Sequence, residues 1–170
     1  MNEQIITESG QYLTFTLGDE EFALEINKVR EVLDYTTLTK VPRTPKFMRG
    51  VINLRGNVVP VIDLRLNLGM TEIQRTVDTC IVICELDAED DKLLLGALAD
   101  SVQEVVAIDP AQIEPPPRIG TRLETSFIKG MGKRYESFII ILDIDEVLSG
   151  ADMDWLGEAS EPVIAGPVTV

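Results

Sequence analysis

Hydrophobic and polar positions alternate along the chain in short runs, mostly with the two-residue period of a strand. Gln11–Leu17 places Leu13, Phe15 and Leu17 on one face and Tyr12, Thr14 and Thr16 on the other. Gly18-Asp19-Glu20 turns this run into a second short strand, Glu21–Leu24. In Ile26–Leu33, Ile26, Val29 and Leu33 share one side of a helical turn, yet β-branched residues equally allow a strand from Val29. We read a turn of helix passing into strand, with Val29 either core or contact. Thr37–Val41 is strand-like, Pro42-Arg43-Thr44-Pro45 breaks it, and Lys46–Arg49 forms one helical turn. Leu64–Met70 is a connection and Thr71–Val77 an exposed loop. Asp78–Leu86 is a near-continuous apolar run, a strand buried on both faces. Asp87–Asp91 is a solvated acidic loop, followed by strands Lys92–Ala99 and Ser101–Ile108. The four prolines of Asp109–Pro117 exclude regular structure there. Phe127–Met131 and Glu136–Leu142 are strands joined by Gly132-Lys133-Arg134, with Gly130 and Gly132 relieving a bend. Asp143 caps a short helix as a capping box with Glu146; Ile144, Val147 and Leu148 face inward and Gly150 ends the turn. About ten short strands with little helix predict all-β barrels, and no internal repeat is visible.

The strongest local pattern is Gly50–Asp63, two β-rich runs flanking Gly56-Asn57, a pair suited to a two-residue hairpin loop. That register pairs Leu54 with Val59 and Ile52 with Val61 on one apolar face. Val51 with Ile62, Asn53 with Pro60 and Arg55 with Val58 form the other. Pro60 lacks a donor, which predicts an edge strand or a break in pairing. Arg55 then stands at a hairpin tip, either as a surface arginine lying along apolar neighbours or as a five-donor fork aimed at a partner.

Composition narrows the chemistry. The 170 residues suit one domain or two small barrels sharing a core, and no apolar run approaches the roughly 18 residues of a membrane span. The opening Met1-Asn2-Glu3-Gln4 lacks the basic and apolar regions of a signal peptide, so the expectation is a cytoplasmic protein. Histidine is absent, which removes the commonest general base, metal ligand and phosphorelay residue. Cys80 and Cys84 share one strand face about 13 Å apart, too far to bridge, and are expected as buried free thiols. Lys129-Gly130-Met131-Gly132-Lys133 lacks Walker spacing, and no Gly-x-Ser-x-Gly elbow exists. No catalytic, metal or cofactor site is predicted.

Net charge is −14, unevenly spread: residues 1–75 carry ten acids and nine bases, residues 76–170 nineteen acids and six bases. No acid occurs between Tyr35 and Ile62, yet Lys40, Arg43, Lys46, Arg49 and Arg55 do. A basic patch on an acidic protein suits an acidic protein partner and argues against nucleic acid. The expectation is an interaction module.

Several stretches resemble, in order and spacing, the CheW-like family of chemotaxis coupling proteins. They are Phe15-Thr16-Leu17-Gly18-Asp19-Glu20-Glu21-Phe22, Ile26–Val32, Gly50–Gly56, Val59–Arg65, Gly96–Val105, Phe127–Gly132 and Leu142–Leu148. The likeness covers residues 11–150, leaving a flexible N-terminus at 1–10 and a short helix with a flexible acidic tail at 151–170. It implies an all-β fold of two SH3-like five-stranded barrels on a common hydrophobic core, with short helices including one near the C-terminus. It further implies a non-enzymatic adaptor between chemoreceptor cytoplasmic hairpin tips and the regulatory domain of the histidine kinase CheA. Such an adaptor works at membrane receptor arrays without entering the bilayer, and self-association in array rings fits the same picture. On matching positions the receptor groove would comprise Val29, Glu31, Arg49, Arg55 and Val105, and the kinase side Thr37, Leu38, Thr39 and Val41. The acidic stretch at residues 87–91 and the acidic C-terminus depart from the family pattern.

Overall fold

The computed structural model describes residues 10–88, 91–116 and 127–147. The two-residue alternation forms eleven strands among them: β1 (Gly10–Leu17), β2 (Glu20–Glu25), β3 (Val29–Asp34), β4 (Met48–Leu54), β5 (Asn57–Asp63), β6 (Cys80–Ala88), β7 (Asp91–Ala99), β8 (Ser101–Ile108), β9 (Ile113–Glu114), β10 (Ile128–Arg134) and β11 (Ser137–Leu142). Two one-turn helices, α1 (Leu64–Asn67) and α2 (Ile144–Val147), follow β5 and β11. Ile26–Lys28 is a 3-10 turn running directly into β3, as the mixed pattern there predicts.

The strands divide into two sheets, ordered β8-β1-β2-β11-β10-β9 and β3-β6-β7-β5-β4. The chain begins in the first sheet, builds the whole of the second, and returns to finish the first. Three apolar clusters follow from this route. Ile52, Leu54, Val59, Val61, Ile81 and Ile83 fill the second barrel. Tyr12, Ala23, Ile108, Ile139 and Ile141 fill the first. The largest lies between them and draws Phe15, Leu17 and Leu24 from one sheet and Ile62, Val82 and Leu95 from the other. Each fully buried Leu, Ile or Phe contributes about 1.5–3 kcal/mol, against about 0–1 kcal/mol for a surface ion pair, so the shared core holds the two halves together. All-β architecture of two barrel-like subdomains is thus the observed fold.

Several local expectations are corrected. Both faces of β1 are largely buried: Tyr12 packs inside the first barrel, and the Thr14 hydroxyl donates to the Glu104 carbonyl at 2.8 Å. Residues 37–41 form no strand; a single bridge joins Thr39 to Val51. Residues 46–49 are not helical, because β4 already starts at Met48. The proline-rich stretch contains a 3-10 turn, Pro110–Gln112, capped by Asp109, and the two-residue β9, which gives the first sheet a sixth strand. Asp87 and Asp91 belong to the β6–β7 ladder and not to a loop; Glu89 and Asp90 lie outside the described residues. The turn between β10 and β11 is Tyr135-Glu136, later than expected. Asp143 does cap α2, accepting from the Asp145 amide at 3.2 Å, but the capping box with Glu146 does not form, since the Asp143 amide donates to the Phe127 carbonyl; Leu148 and Gly150 are outside the described residues. Cys84 is buried and free as expected; Cys80 is free but only half-buried.

An internal repeat is also present. Gly50 and Gly130 stand 80 positions apart, each beside a register shift in its hairpin. Arg55 and Tyr135 hold the same left-handed turn position, with φ of 51° and 52°. Asp63 and Asp143, again 80 apart, each accept from an amide of the helix that follows, and their own amides donate to Phe47 and Phe127.

Candidate docking surface

The β4–β5 hairpin pairs Leu54 with Asn57, Asn53 with Val58, Ile52 with Val59 and Val51 with Pro60. The loop is therefore Arg55-Gly56 and not Gly56-Asn57, a shift of two residues in every pair. Faces are preserved because the side-chain period is two. Ile52, Leu54, Val59 and Val61 still share the interior, and only the partners differ. Arg55 and Gly56 both take positive φ, 51° and 89°, the requirement of a type I′ turn. β5 is not an edge strand: it lies between β4 and β7, although its parallel ladder to β7 begins only at Val61, just beyond Pro60.

Each residue of Asn53-Leu54-Arg55-Gly56 has a structural task. The Gly56 amide donates to Asn53 Oδ1 at 2.7 Å, Leu54 is buried, and Arg55 projects from the bend with its side chain 71% exposed. Its guanidinium donates to Glu31 on β3, and that hydrogen bond and charge push the Arg55 pKa above its usual value. β3 and β4 are the two edges of the five-stranded sheet, so this ion pair spans the mouth of the barrel. The first barrel has the counterpart, Arg134 Nη2 to Glu104 on β8 at 3.0 Å.

Asp63, wholly buried, organises the far end of the hairpin. It accepts from the Arg65 amide at 3.0 Å and the Ile73 amide at 2.8 Å, fixing the loop after α1. Burial pushes its carboxyl up, while those two amides and the Arg49 and Arg65 charges pull it back. Beside this loop lies a cleft of about 210 Å³ with Leu38, Ile73 and Leu98 as apolar walls and Lys40, Arg49 and Arg75 at its rim. Arg75 stacks on the Tyr35 ring at 4.1 Å, and Arg49 pairs with Glu72 at 3.4 Å.

The predicted residues do not form one cluster. Glu31 and Arg55 are in contact. Val29, on the same strand as Glu31, is half-buried against the shared core. Arg49 lies six residues before Arg55, roughly 20 Å along the strand, and lines the cleft with Thr37 and Leu38. Val105 is exposed on β8, an edge of the other sheet. Among the kinase-side residues, Thr37 and Val41 are exposed and Leu38 packs half-buried on the second barrel. Thr39 exchanges backbone hydrogen bonds with Val51 at 3.0 and 2.9 Å. Three surface features carried no sequence signal of function: the Tyr35–Arg75 stack, exposed Tyr135 and exposed Phe138. Equivalence to Arg55 and Val58 at a separation of 80 would have pointed to the last two.

Among the described residues no cluster of His, Cys, Asp or Glu could hold a metal, and no helix is long and apolar enough to cross a membrane. The model of the CheW-like domain matches residues 11–152. The chain is 34% identical over 143 residues to the chemotaxis protein CheW of Klebsiella aerogenes, covering 84% of each. It is 31% identical over 150 residues to the chemotaxis protein CheW of Rhizobium meliloti, covering 88% of this chain and 94% of that one. Protein FrzA of Myxococcus xanthus is 34% identical over 107 residues, 63% of this chain and 64% of the other. Among solved structures, the scaffolding protein TtCheW of Thermoanaerobacter tengcongensis superposes with a TM-score of 0.74 at 36% identity, over 85% of this chain and 97% of that one. The matched span contains both barrels and both hairpins described above, and the chain belongs to the CheW-like domain family.

Proposed function

We propose that the chain is a non-enzymatic chemotaxis adaptor that joins the cytoplasmic hairpin tips of chemoreceptors to the regulatory domain of the histidine kinase CheA. It would work in the cytoplasm at membrane receptor arrays. The observation that carries this reading is the Arg55 turn, a guanidinium placed on a rigid, outward bend and oriented by Glu31. Such a fork, presented at little conformational cost, suits recognition of another protein. Glu31 and Arg55, with Val29 behind them, form the receptor-facing part. Thr37, Leu38, Thr39 and Val41 form the kinase-facing part on the same barrel; Arg49, a receptor residue by the family likeness, lines the cleft beside them, and Val105 extends the receptor groove from the other barrel. Family likeness and the array picture support self-association in rings as well. The likeness to Protein FrzA supports a second reading, the same kind of adaptor in a parallel receptor–kinase pathway such as pilus motility or development.

Titration with a soluble receptor cytoplasmic fragment tests the receptor assignment. Arg55→Ala should weaken binding by about 1–3 kcal/mol, the range for a desolvated charged hydrogen bond. Unchanged affinity with an unchanged melting curve would remove Arg55 from the contact.

A further inference from the structure

Most described cations are neutralised by the chain's own carboxylates, as Lys28, Arg65, Lys129 and Arg134 are. Among the described residues, Lys40, Arg43, Lys46 and Arg75 have no carboxylate partner. All four are exposed, and they lie together in sequence or fold: three on the connection from β3 to β4, the fourth on the loop that follows α1. Lys40 and Arg75 stand at the rim of the cleft whose walls are Leu38, Ile73 and Leu98. On a chain of net charge −14, Lys40 and Arg75 at the rim of one partly apolar recess, beside an Arg49 already paired with Glu72, are an electrostatic exception. Their mutual repulsion is relieved when an anionic surface covers them.

We propose that this cleft is a socket for an acidic protein element, in which an apolar side chain enters the recess and flanking carboxylates meet Lys40 and Arg75. The inference rests on the assignment of residues 37–41 to the kinase and names the chemistry of the kinase surface that docks there. The Tyr35 ring already holds Arg75 in place from below, so the guanidinium edge is pre-organised to receive a carboxylate in two-point fashion. A polyanion such as nucleic acid fits poorly, because the remaining acidic surface repels a long phosphate chain. A compact acidic patch on a protein meets only the basic face.

The test is binding of the purified kinase regulatory domain at low and high salt, with four forms of the full chain. Arg75→Glu and Lys133→Glu change net charge equally, but Lys133 lies on β10, paired with Glu114 at 3.0 Å. Arg75→Glu should lower low-salt affinity about tenfold or more and lose most of that effect at high salt, while Lys133→Glu changes it less than about twofold. Thr37→Trp, at an exposed position beside the cleft, should block docking at either salt concentration. Equal effects of the two charge reversals, or salt-independent binding of the unaltered chain, would overturn the acidic socket. If Thr37→Trp blocks binding and Arg75→Glu does not, the kinase assignment stands and the socket's chemistry is wrong. If neither changes binding, both fall. Sedimentation of the unaltered chain alone at low salt, showing self-association that Arg75→Glu abolishes, would make the occupant a second copy and refute the proposal.

Discussion

Arg55 combines two properties that a binding study must separate. Its backbone sits at φ 51°, a conformation that strains most L-residues but that asparagine tolerates, and its side chain pairs with Glu31 in largely open solvent. An exposed pair of this kind contributes little to stability, and relief of the turn by asparagine opposes its loss. Arg55→Asn should therefore leave the melting temperature within about 3 °C of the original, measured by calorimetry, while removing the fork. Cys84 offers a second residue-scale test. Complete burial pushes its thiol up to about 12. A thiol with a folded pKa above its unfolded value contributes stability that is intact below about pH 9 and is lost as pH rises towards 12. The loss should approach 1.4 kcal/mol per pH unit in that window, and Cys84→Val should flatten the alkaline arm of a stability–pH curve. Burial of this thiol was legible from the apolar run around it. The loop position of Arg55 was not, since registers two residues apart place the same side chains on the same face.

At the scale of elements, the segment from β3 to β4 is held against the barrel by backbone contact more than by side chains. A Cβ at Gly50 would approach the Thr39 carbonyl oxygen to 2.7 Å and the Leu38 Cβ to 2.9 Å, at a φ of 148°. Gly50→Ala should cost about 2–3 kcal/mol, read as a fall in Tm of roughly 5–10 °C, and should displace residues 37–41 from β4. Loss of kinase affinity larger than loss of receptor affinity would accompany it if that segment is the kinase side. A Gly50→Ala chain with unaltered Tm would show that the segment does not rest on β4. The sequence pattern located β1, β2, β6, β7 and β8 to within two residues, because each has a face committed to a core. It misassigned residues 37–41, where a single bridge leaves no periodic burial to read. The repeat escaped detection for a related reason. Barrel interiors ask for volume and not identity, so Val61 and Leu64 answer to Ile141 and Ile144, and few positions beyond the glycines and capping aspartates match by type.

The whole molecule is two barrels tied at two places. Lys28, in the turn leading to β3, pairs with Asp145 of α2 at 2.7 Å and Asp87 of β6 at 3.2 Å. Asp100, where the chain crosses back, accepts from Arg65 at 2.7 Å and from the Gly18 amide at 2.6 Å. These ties and the shared core hold the two barrels together, and the second barrel presents both the Arg55 turn and the Tyr35–Arg75 cleft. That arrangement suits a protein whose work is to hold two partners together. The candidate site was only half legible beforehand, since adjacency in a family motif does not report that Arg49 and Arg55 point to different regions of one barrel. Co-sedimentation of the purified kinase with vesicles bearing receptor cytoplasmic domains tests the coupling role most directly. The kinase should enter the pellet when this chain is added and fall by about tenfold when Arg55→Asn replaces it. Equal recovery of kinase without the chain, or a chain that stays in the supernatant while folded, would contradict the account.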